Sequence, residues 1–216
     1  MQRVLILGAG GHAQVVADIL MRASDAGASV EPLGYLDDNP HLTDQRFLGL
    51  PVLGRMVDLG RVAHDALVIA IGDNATRRKL FASLQAQGEH FAVARHPSAI
   101  IAPDAQIGPG VMICAGVIIN SGCIIGANAI LNTGCTIDHH NRIGDHTHIA
   151  PGVHLGGEVQ IGEGGFVGIG AIVMPQRRVG SWSVVGAGAV VHRDIPADVV
   201  AVGVPARVIE PIQSAS

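Results

Sequence analysis

Segment 125–143 reads IGANAILNTGCTIDHHNRI, with an aliphatic residue at every sixth position. The same spacing extends from it in both directions without a break. The aliphatic positions are Ile101, Ile107, Ile113, Ile119, Ile125, Leu131, Ile137, Ile143, Ile149, Leu155, Ile161, Val167, Val173, Val179, Val185 and Val191. A six-residue period does not fit the 3.6-residue turn of an α-helix, but it fits one short strand followed by one turn. Because one such unit cannot bury its own apolar face, we expect the units to stack into a solenoid.

The residue two positions before each aliphatic residue is usually small and is expected to point into the solenoid. Examples are Ala105, Cys123, Ala129, Cys135, Thr147, Gly165, Ala171, Ser183 and Ala189. Asn141 and Arg177 depart from this pattern. An inward arginine is costly unless it is paired. The sequence therefore predicts a locally distorted coil near Arg177 and Arg178.

The period is absent from the first part of the chain, where apolar runs alternate with helical stretches. We predict strands over 4–7, 33–36, 67–71 and 91–94, and helices over 13–22 and 75–87. Such a succession is typical of a parallel α/β sheet with Rossmann-like topology. The sequence thus predicts two domains, a Rossmann-like domain over 1–96 and a solenoid over 97–216.

The first predicted strand runs into a glycine-rich turn, Gly8–Ala9–Gly10–Gly11–His12–Ala13. Glycines there allow the backbone to approach a phosphate at a helix N-terminus. The turn also fits GxGxxA, with Asp37 closing the second strand, so an NAD-dependent dehydrogenase is one alternative. A tight turn that binds no ligand is another.

Composition narrows the classes of partner. The net charge of −4 without a dense Lys/Arg tract argues against nucleic acid, and no stretch approaches the length of a membrane span. The three cysteines are odd in number and lack CxxC spacing, which favours a reduced, cytoplasmic protein. Cys123 and Cys135 are expected in the core. Cys114, which follows an inward isoleucine, is expected to face outward.

Several short motifs follow one another in order along nearly the whole chain. They are Gly8–Ala–Gly–Gly–His12, Leu36–Asp37–Asp38, Ile71–Gly72–Asp73–Asn74 with Arg77, Asn132–Thr–Gly, Asp138–His139 and Gly203–Val–Pro–Ala–Arg207. With the repeat, this set resembles the nucleotide-sugar and sialic-acid acetyltransferases of bacterial surface-glycan biosynthesis. The resemblance implies a left-handed parallel β-helix with three hexads per coil. It also implies a homotrimer with active sites between subunits, and N-acetylation of a UDP- or GDP-linked 4-amino-4,6-dideoxy sugar by direct transfer from acetyl-CoA.

The same resemblance assigns residues to the nucleotide sugar. The expected contacts are His12, Ala13, Gln14, Asp37, Asp38, Gly72 and Asn132. Ionised carboxylates only accept hydrogen bonds, so Asp37 and Asp38 suit a uracil N–H or ribose hydroxyls. The alternative for Asp38 is a solvated turn residue.

For the reaction itself, the resemblance assigns the general base to His139, since a neutral imidazole can accept a proton at neutral pH. Gly157 lies three hexads after His139, one full coil further on. Its bare backbone N–H is expected to stabilise the oxyanion of the acetyl group. His148, Ile169 and Ala187 match positions that contact acetyl-CoA.

One departure from the resembled family concerns the residue after the base. Many members carry an acidic residue there, whereas this chain has His140. A neutral neighbour cannot stabilise an imidazolium as a carboxylate does, although Asp138 is a possible substitute. The choice between N- and O-acetylation therefore stays open, and an O-acetyltransferase of sialic acid or another sugar is the first alternative.

Two further alternatives belong to other classes. Five histidines lie between positions 139 and 154, as would suit a zinc enzyme like the γ-class carbonic anhydrases, which use a similar solenoid. Those enzymes lack a leading nucleotide-binding domain, so we expect no metal site. A non-catalytic binding solenoid is the other alternative, favoured by the missing carboxylate after His139.

Overall fold

The computed structural model describes residues 1–212. The first part of the chain is a five-stranded sheet with two helices. Its elements are β1 (Gln2–Leu7), α1 (Gly11–Asp25), β2 (Val30–Leu36), β3 (Arg46–Phe47), β4 (Leu50–Gly54), β5 (Ala66–Ile69) and α2 (Asn74–Ala86), with 3-10 helices at Pro40–Leu42 and Met56–Arg61. The strand order is β3-β4-β2-β1-β5, and only the β3–β4 pair is antiparallel. The predicted Rossmann-like arrangement is confirmed.

Burial explains why β1 lies inside this sheet, between β2 and β5. Val4, Leu5 and Ile6 are fully buried, as expected for a parallel strand covered on both faces. The carboxyl ends of β1, β2 and β5 lie at one edge of the sheet because these strands are parallel. The residues that follow them, including Gly8 and Asp37, are therefore neighbours.

Two features of this domain differ from the sequence prediction. The β3–β4 hairpin was not predicted, because its polar connection gives no alternating pattern. The strand predicted over 91–94 is reduced to a single bridge between Phe91 and Leu67. The next strand, Ala94–Arg95, pairs with Met112–Ile113 of the solenoid instead.

From Ala94 the chain winds as a parallel β-helix with three faces. The first face contains Ile100–Ile101, Ile118–Ile119, Thr136–Ile137, His154–Leu155, Ile172–Val173 and Val190–Val191. The second contains Gln106–Ile107, Ile124–Ile125, Arg142–Ile143, Gln160–Ile161 and Arg178–Val179. The third contains Ala94–Arg95, Met112–Ile113, Ile130–Leu131, His148–Ile149, Phe166–Val167, Val184–Val185, Val199–Val202 and the antiparallel Arg207–Pro211.

Each coil contributes one strand to each of the three faces, and three turns at the corners connect these strands. We call the turn from the first to the second face the first corner, that from the second to the third face the second corner, and that back to the first face the third corner. Thr136 pairs with His154, so one coil takes 18 residues. Of the sixteen periodic aliphatic residues, all except Ile101 and Ile107 are buried. The hexapeptide-repeat prediction is confirmed.

Two predictions for the solenoid are wrong, namely the distorted coil near Arg177 and Arg178 and the outward direction of Cys114. Arg178–Val179 pairs in register with Gln160–Ile161, so the coil is regular there. Arg177 turns outward, with 35% of its side chain exposed and its guanidinium 3.8 Å from Asp194, because the surface offers the charged partner that the core lacks. Cys114 is fully buried, since the chain bends at the third corner and the in–out alternation of a strand ends there. Asn141 does point inward, and its amide donates to the carbonyls of Asp138 (2.6 Å) and Gly156 (2.8 Å).

Cys123 and Cys135 are also fully buried, as predicted. Within residues 1–212, none of the helices combines the length and the apolar character needed to cross a membrane.

Candidate active site

Arg77 of α2 joins the N-terminal domain to the second corner. It is fully buried and donates to carbonyls on both sides of the junction. The acceptors are the carbonyl oxygens of Ile71 (3.0 Å), Gly72 (3.3 Å), Asn128 (3.0 Å), His146 (2.7 Å) and Thr147 (3.1 Å), and Oδ1 of Asn74 (2.8 Å). Burial lowers the pKa of Arg77 to about 10, so the side chain stays charged at neutral pH. These hydrogen bonds fix the domain against the second corner of the solenoid.

A cluster of rings forms where α1 covers the third face. His148 points outward from its strand, but its ring centroid lies 6.3 Å from that of His12 and 5.2 Å from that of Phe166. The Nδ2 of Asn132 donates to Nε2 of His148 at 3.1 Å, and the backbone N–H of Thr133 fixes the amide by donating to Oδ1 of Asn132 at 2.8 Å. His148 therefore accepts at Nε2 and carries its proton on Nδ1.

Both histidines of this cluster are neutral at pH 7. Burial, with the charge of Arg77 as a smaller contribution, lowers the pKa of His12 and of His148 to about 4. Nδ1 of His148 and Nε2 of His12 are buried and make no hydrogen bond of good geometry within residues 1–212, although the Gly72 backbone lies near enough to His148 to oppose the fall in its pKa. Unsatisfied buried nitrogens are costly. They are the kind of group that a polar ligand would satisfy.

These lowered pKa values predict a loss of stability in acid. Between about pH 6.5 and pH 4 the unfolded chain binds protons that the folded His12 and His148 do not. The free energy of unfolding should therefore be highest above pH 6.5 and fall as the pH drops, by on the order of 2 kcal/mol per histidine at pH 5. Urea unfolding at pH 7.5 and pH 5 measures this.

The variants His148→Asn and His90→Gln make a matched pair for that measurement. His90 is exposed, so its loss should leave the difference between the two pH values unchanged. His148→Asn should reduce the difference. If the difference in unfolding free energy between pH 7.5 and pH 5 were equal in both variants, the lowered pKa assigned to His148 would be contradicted.

The predicted nucleotide-sugar residues gather at the carboxyl edge of the N-terminal sheet. Asp37 accepts from the backbone N–H groups of Ala9 (2.7 Å) and Asn39 (2.8 Å), so it also holds the glycine-rich turn. Asp38 is exposed and accepts from the backbone N–H of Met56 at 3.0 Å. Contacts of both carboxylates with a nucleotide sugar stay predictions.

The other predicted residues of this group differ in exposure. Ala13 is buried inside α1 and presents only its backbone. Gln14 is partly exposed, and Gly72 is exposed between β5 and α2. A side chain at Gly72 would meet no atom within 4 Å, so its bare backbone is open to a ligand.

The first corner brings His139 and Gly157 together. His139 is exposed, and its ring covers Gly157 so closely that a Cβ there would lie 2.6 Å from Nε2. The backbone N–H of Gly157 has no acceptor within residues 1–212. Oδ1 of Asp138 accepts the backbone N–H of His139 (2.8 Å) and the amide of Asn120 (2.9 Å). Asp138 thus anchors the main chain of His139, whereas the ring contacts His140, with 3.1 Å between the two Nδ1 atoms.

Ile169 and Ala187 lie one coil apart at the third corner. Both are exposed, and Ile169 has 62% of its surface open although it is large and apolar. Their backbone N–H groups have no acceptor within residues 1–212. Exposed apolar surface beside free N–H groups suits an elongated ligand that is partly amide and partly alkyl.

In one chain the first face separates the two groups. His139 and Gly157 lie at the first corner, whereas Asn132 and Ile169 lie at the third and His148 lies beside it. Phe166 belongs to the same group and was not singled out from the sequence, although it stands one coil after His148.

The five histidines of the repeat are also dispersed. His139 and His140 lie at the first corner, His146 at the second, and His148 and His154 on different faces. No group of three or more potential metal ligands occurs in the described part of the chain. The expectation of no metal site stays a prediction.

Two family models match separate parts of the chain. The PglD N-terminal domain matches residues 3–84, and the bacterial transferase hexapeptide (six repeats) matches residues 98–133. Among curated proteins, the UDP-N-acetylbacillosamine N-acetyltransferase of Bacillus subtilis is 39% identical over 106 residues, which are 47% of this chain and 46% of that protein. The chain thus spans less than half the length of this relative.

Solved structures match over nearly the whole length. A mutant of the perosamine N-acetyltransferase of Caulobacter crescentus, in complex with CoA and GDP-perosamine, is 38% identical with a TM-score of 0.89, covering 97% of this chain and 98% of that one. The acetyltransferase domain of PglB from Neisseria gonorrhoeae, in complex with acetyl coenzyme A, is 34% identical with a TM-score of 0.88, covering 96% and 99%. The chain therefore belongs to the nucleotide-sugar N-acetyltransferases, a family of acyltransferases that join a Rossmann-like domain to a hexapeptide-repeat parallel β-helix.

Proposed function

We propose that this chain transfers the acetyl group of acetyl-CoA to the amino group of a nucleotide-linked 4-amino-4,6-dideoxy sugar, for bacterial surface-glycan biosynthesis. The observation that carries the proposal is the exposed ring of His139 over the bare backbone of Gly157. A base and an oxyanion donor are the two groups that acyl transfer to an amine requires. Three unpaired, buried cysteines fit a reducing location such as the cytoplasm.

The reaction needs no covalent enzyme intermediate. The sugar nitrogen attacks the thioester carbonyl carbon, and Nε2 of His139 takes the proton that the nitrogen loses. The backbone N–H of Gly157 stabilises the oxyanion by about 3 kcal/mol. The C–S bond then breaks, and the thiolate of coenzyme A leaves and receives the proton from His139. The buried Cys114 and Cys135 are unsuited to a nucleophilic role, because burial raises the pKa of each, to about 11 and about 12.

The active site is proposed to lie between subunits of a homotrimer. The first corner of one chain would supply His139 and Gly157, and the third corner of the next would supply Asn132 and the groups that bind acetyl-CoA. Ile100 and Ile172 on the first face are 66% and 43% exposed, and apolar surface of this kind favours association. Light scattering should give a trimer, and a fully active monomer would contradict this arrangement.

A thiol-release assay tests the reaction. Acetyl-CoA is offered with UDP- and GDP-linked 4-amino sugars and, separately, with sialic acid. Release of thiol with an amino sugar supports N-acetylation. Release of thiol with sialic acid alone would favour an O-acetyltransferase. No release of thiol with any of these acceptors would contradict the proposed activity.

Gly157→Ala should lower kcat by about 10²-fold, because the added Cβ would displace the His139 ring and small misplacements of a catalytic group cost this much. The fold should be retained, since the φ angle of Gly157 is not among the positive ones. Gly60→Ala is the matched control, because a Cβ at Gly60 would meet no atom within 4 Å. Unchanged turnover in Gly157→Ala would contradict the position given to the ring.

A further inference from the structure

His140 belongs to a column of residues that occupy the same place on successive coils of the first corner. The column contains Asp104, Gly122, His140, Glu158 and Gln176. His140 has a φ of +59°, a region that histidine adopts more readily than most residues. Its backbone N–H donates to the carbonyl of Ser121 at 2.9 Å. The backbone of His140 is therefore held by the preceding coil.

The ring of His140 leans toward that coil and lies over Gly122. A Cβ on Gly122 would be 2.7 Å from Cδ2 and 2.9 Å from Nε2 of His140. The ring can take this position only because residue 122 has no side chain. The Nε2 edge of His140 consequently faces the main chain of Gly122.

Asp104 is anchored at the same place. Its Oδ2 accepts from Oγ of Ser121 at 2.7 Å and from the backbone N–H of Gly122 at 3.0 Å. The pKa of Asp104 is held below its usual value, chiefly by the hydrogen bond from Ser121, with contributions from the Gly122 N–H and from nearby His140. A carboxylate is thus held at the main chain of Gly122, the residue that the His140 ring covers.

The near edge of that ring faces the catalytic base, with 3.1 Å between Nδ1 of His140 and Nδ1 of His139. In a neutral pair one of these nitrogens donates and the other accepts. If His139 donates, its Nε2 is free to act as a base, and the proton of His140 sits on Nε2, on the side of Asp104. The reverse arrangement would place the His139 proton on Nε2 and remove the base.

We propose that His140 and Asp104 are positioning residues that replace the carboxylate missing after the catalytic histidine. His140 accepts from Nδ1 of His139 and selects its reactive tautomer, while Asp104 favours the His140 tautomer that carries its proton on Nε2. Through this hydrogen-bonded pair Asp104 stabilises the positive charge that His139 gains. No proton moves beyond His139 in this arrangement. The inference rests on the proposed function, because it assigns the partner of the same base.

Other charged groups near His140 act on the pair as well. Glu158 stands one coil further on, with Oε2 at 3.5 Å from the amide of Gln176. Arg142 lines the same surface groove as His140 and Glu158. The carboxylate of Asp138 accepts the backbone N–H of His139, and the pKa of Asp138 is lowered chiefly by the hydrogen bond from Asn120, with help from the charge of His139. The three atoms nearest to a Cβ on Gly122 all belong to the His140 ring.

The test combines the variants His140→Asn and Asp104→Asn, singly and together. Asparagine tolerates the positive φ of residue 140 and does not titrate. His140→Asn should lower kcat about tenfold at unchanged KM for both substrates, as expected when a base loses its orienting partner. Asp104→Asn should move the acid limb of the kcat/KM profile to lower pH by about half a unit, because a negative charge that favours the imidazolium is lost.

The double variant distinguishes an effect of Asp104 on His139 that is transmitted through His140 from a direct electrostatic effect of Asp104 on His139. In the His140→Asn background, Asp104→Asn should produce no further shift of the acid limb. An equal shift in both backgrounds, or normal kcat in His140→Asn, would overturn the proposal. His140→Asp supplies a carboxylate directly and should recover kcat and move the acid limb to higher pH.

Nitrogen NMR of the imidazole rings gives a readout that does not depend on turnover. His139 should carry its proton on Nδ1 in the natural chain and populate both tautomers in His140→Asn. The same tautomer in both proteins would overturn the proposal even if the enzyme is active. An inactive enzyme that shows the predicted change would instead refute the proposed substrate and leave the arrangement of the two rings supported.

Discussion

His139→Ala is expected to lower kcat for acetyl transfer by about 10²-fold or more, since loss of a general base typically costs 10²–10⁴-fold. The KM values for acetyl-CoA and for the sugar should change little, because the ring is assigned to proton transfer and other residues to substrate binding. His139 is exposed, and its ring meets mainly His140 and Gly157. The variant should therefore fold normally, and thiol release at saturating substrate measures the loss.

A matched variant distinguishes loss of the base from loss of any histidine. His90 is also exposed but lies after α2, outside the corners of the solenoid. His90→Gln should retain full turnover. If His139→Ala turned over at a rate near that of His90→Gln, His139 would have no part in the chemistry.

The solenoid and the pairing of His139 with Gly157 were predictable because both follow from a period. Once an aliphatic residue recurs every six positions, residues three hexads apart must stack at the same corner. For the N-terminal sheet, the sequence indicated the fold class but not the strand order, since the β3–β4 hairpin carries no apolar alternation. Local pattern thus predicted the coils and their register.

Contacts between distant segments were not predictable in this way. The side chain of Arg77 meets acceptors 51 to 70 residues away, and nothing in the sequence near Arg77 indicates them. The ring of His140 depends on the absence of a side chain at Gly122, in another coil. The outward turn of Arg177 depends on Asp194, which lies three strands further along the chain. Each of these outcomes is decided by packing between segments.

The largest effect on stability is expected at Arg77. Arg77→Ala would leave the carbonyls of Asn128 and His146 without the donor that they share at the junction, and would open a cavity in a fully buried place. Unsatisfied buried acceptors and lost charged hydrogen bonds together should cost about 4 kcal/mol of unfolding free energy, equivalent to a fall in Tm of roughly 10 °C. Urea and thermal unfolding at pH 7.5 measure both values. Arg77→Lys should recover only a minor part, because one ammonium group has three donors and cannot span both sides of the junction.

Arg78 supplies the matched control, since it is the next residue of the same helix and carries the same charge. Its side chain is 52% exposed, lies 3.6 Å from Glu163, and stacks over Trp182 at 5.3 Å. Exposed ion pairs and cation–π contacts of this kind contribute about 1 kcal/mol or less. Arg78→Ala should therefore lower the unfolding free energy by no more than that. Arg77 and Arg78 carry the same charge and differ in their burial and in their hydrogen-bond acceptors. Equal losses of unfolding free energy in the two variants would therefore mean that the charge, and not the buried hydrogen bonds at the domain junction, determines the stability.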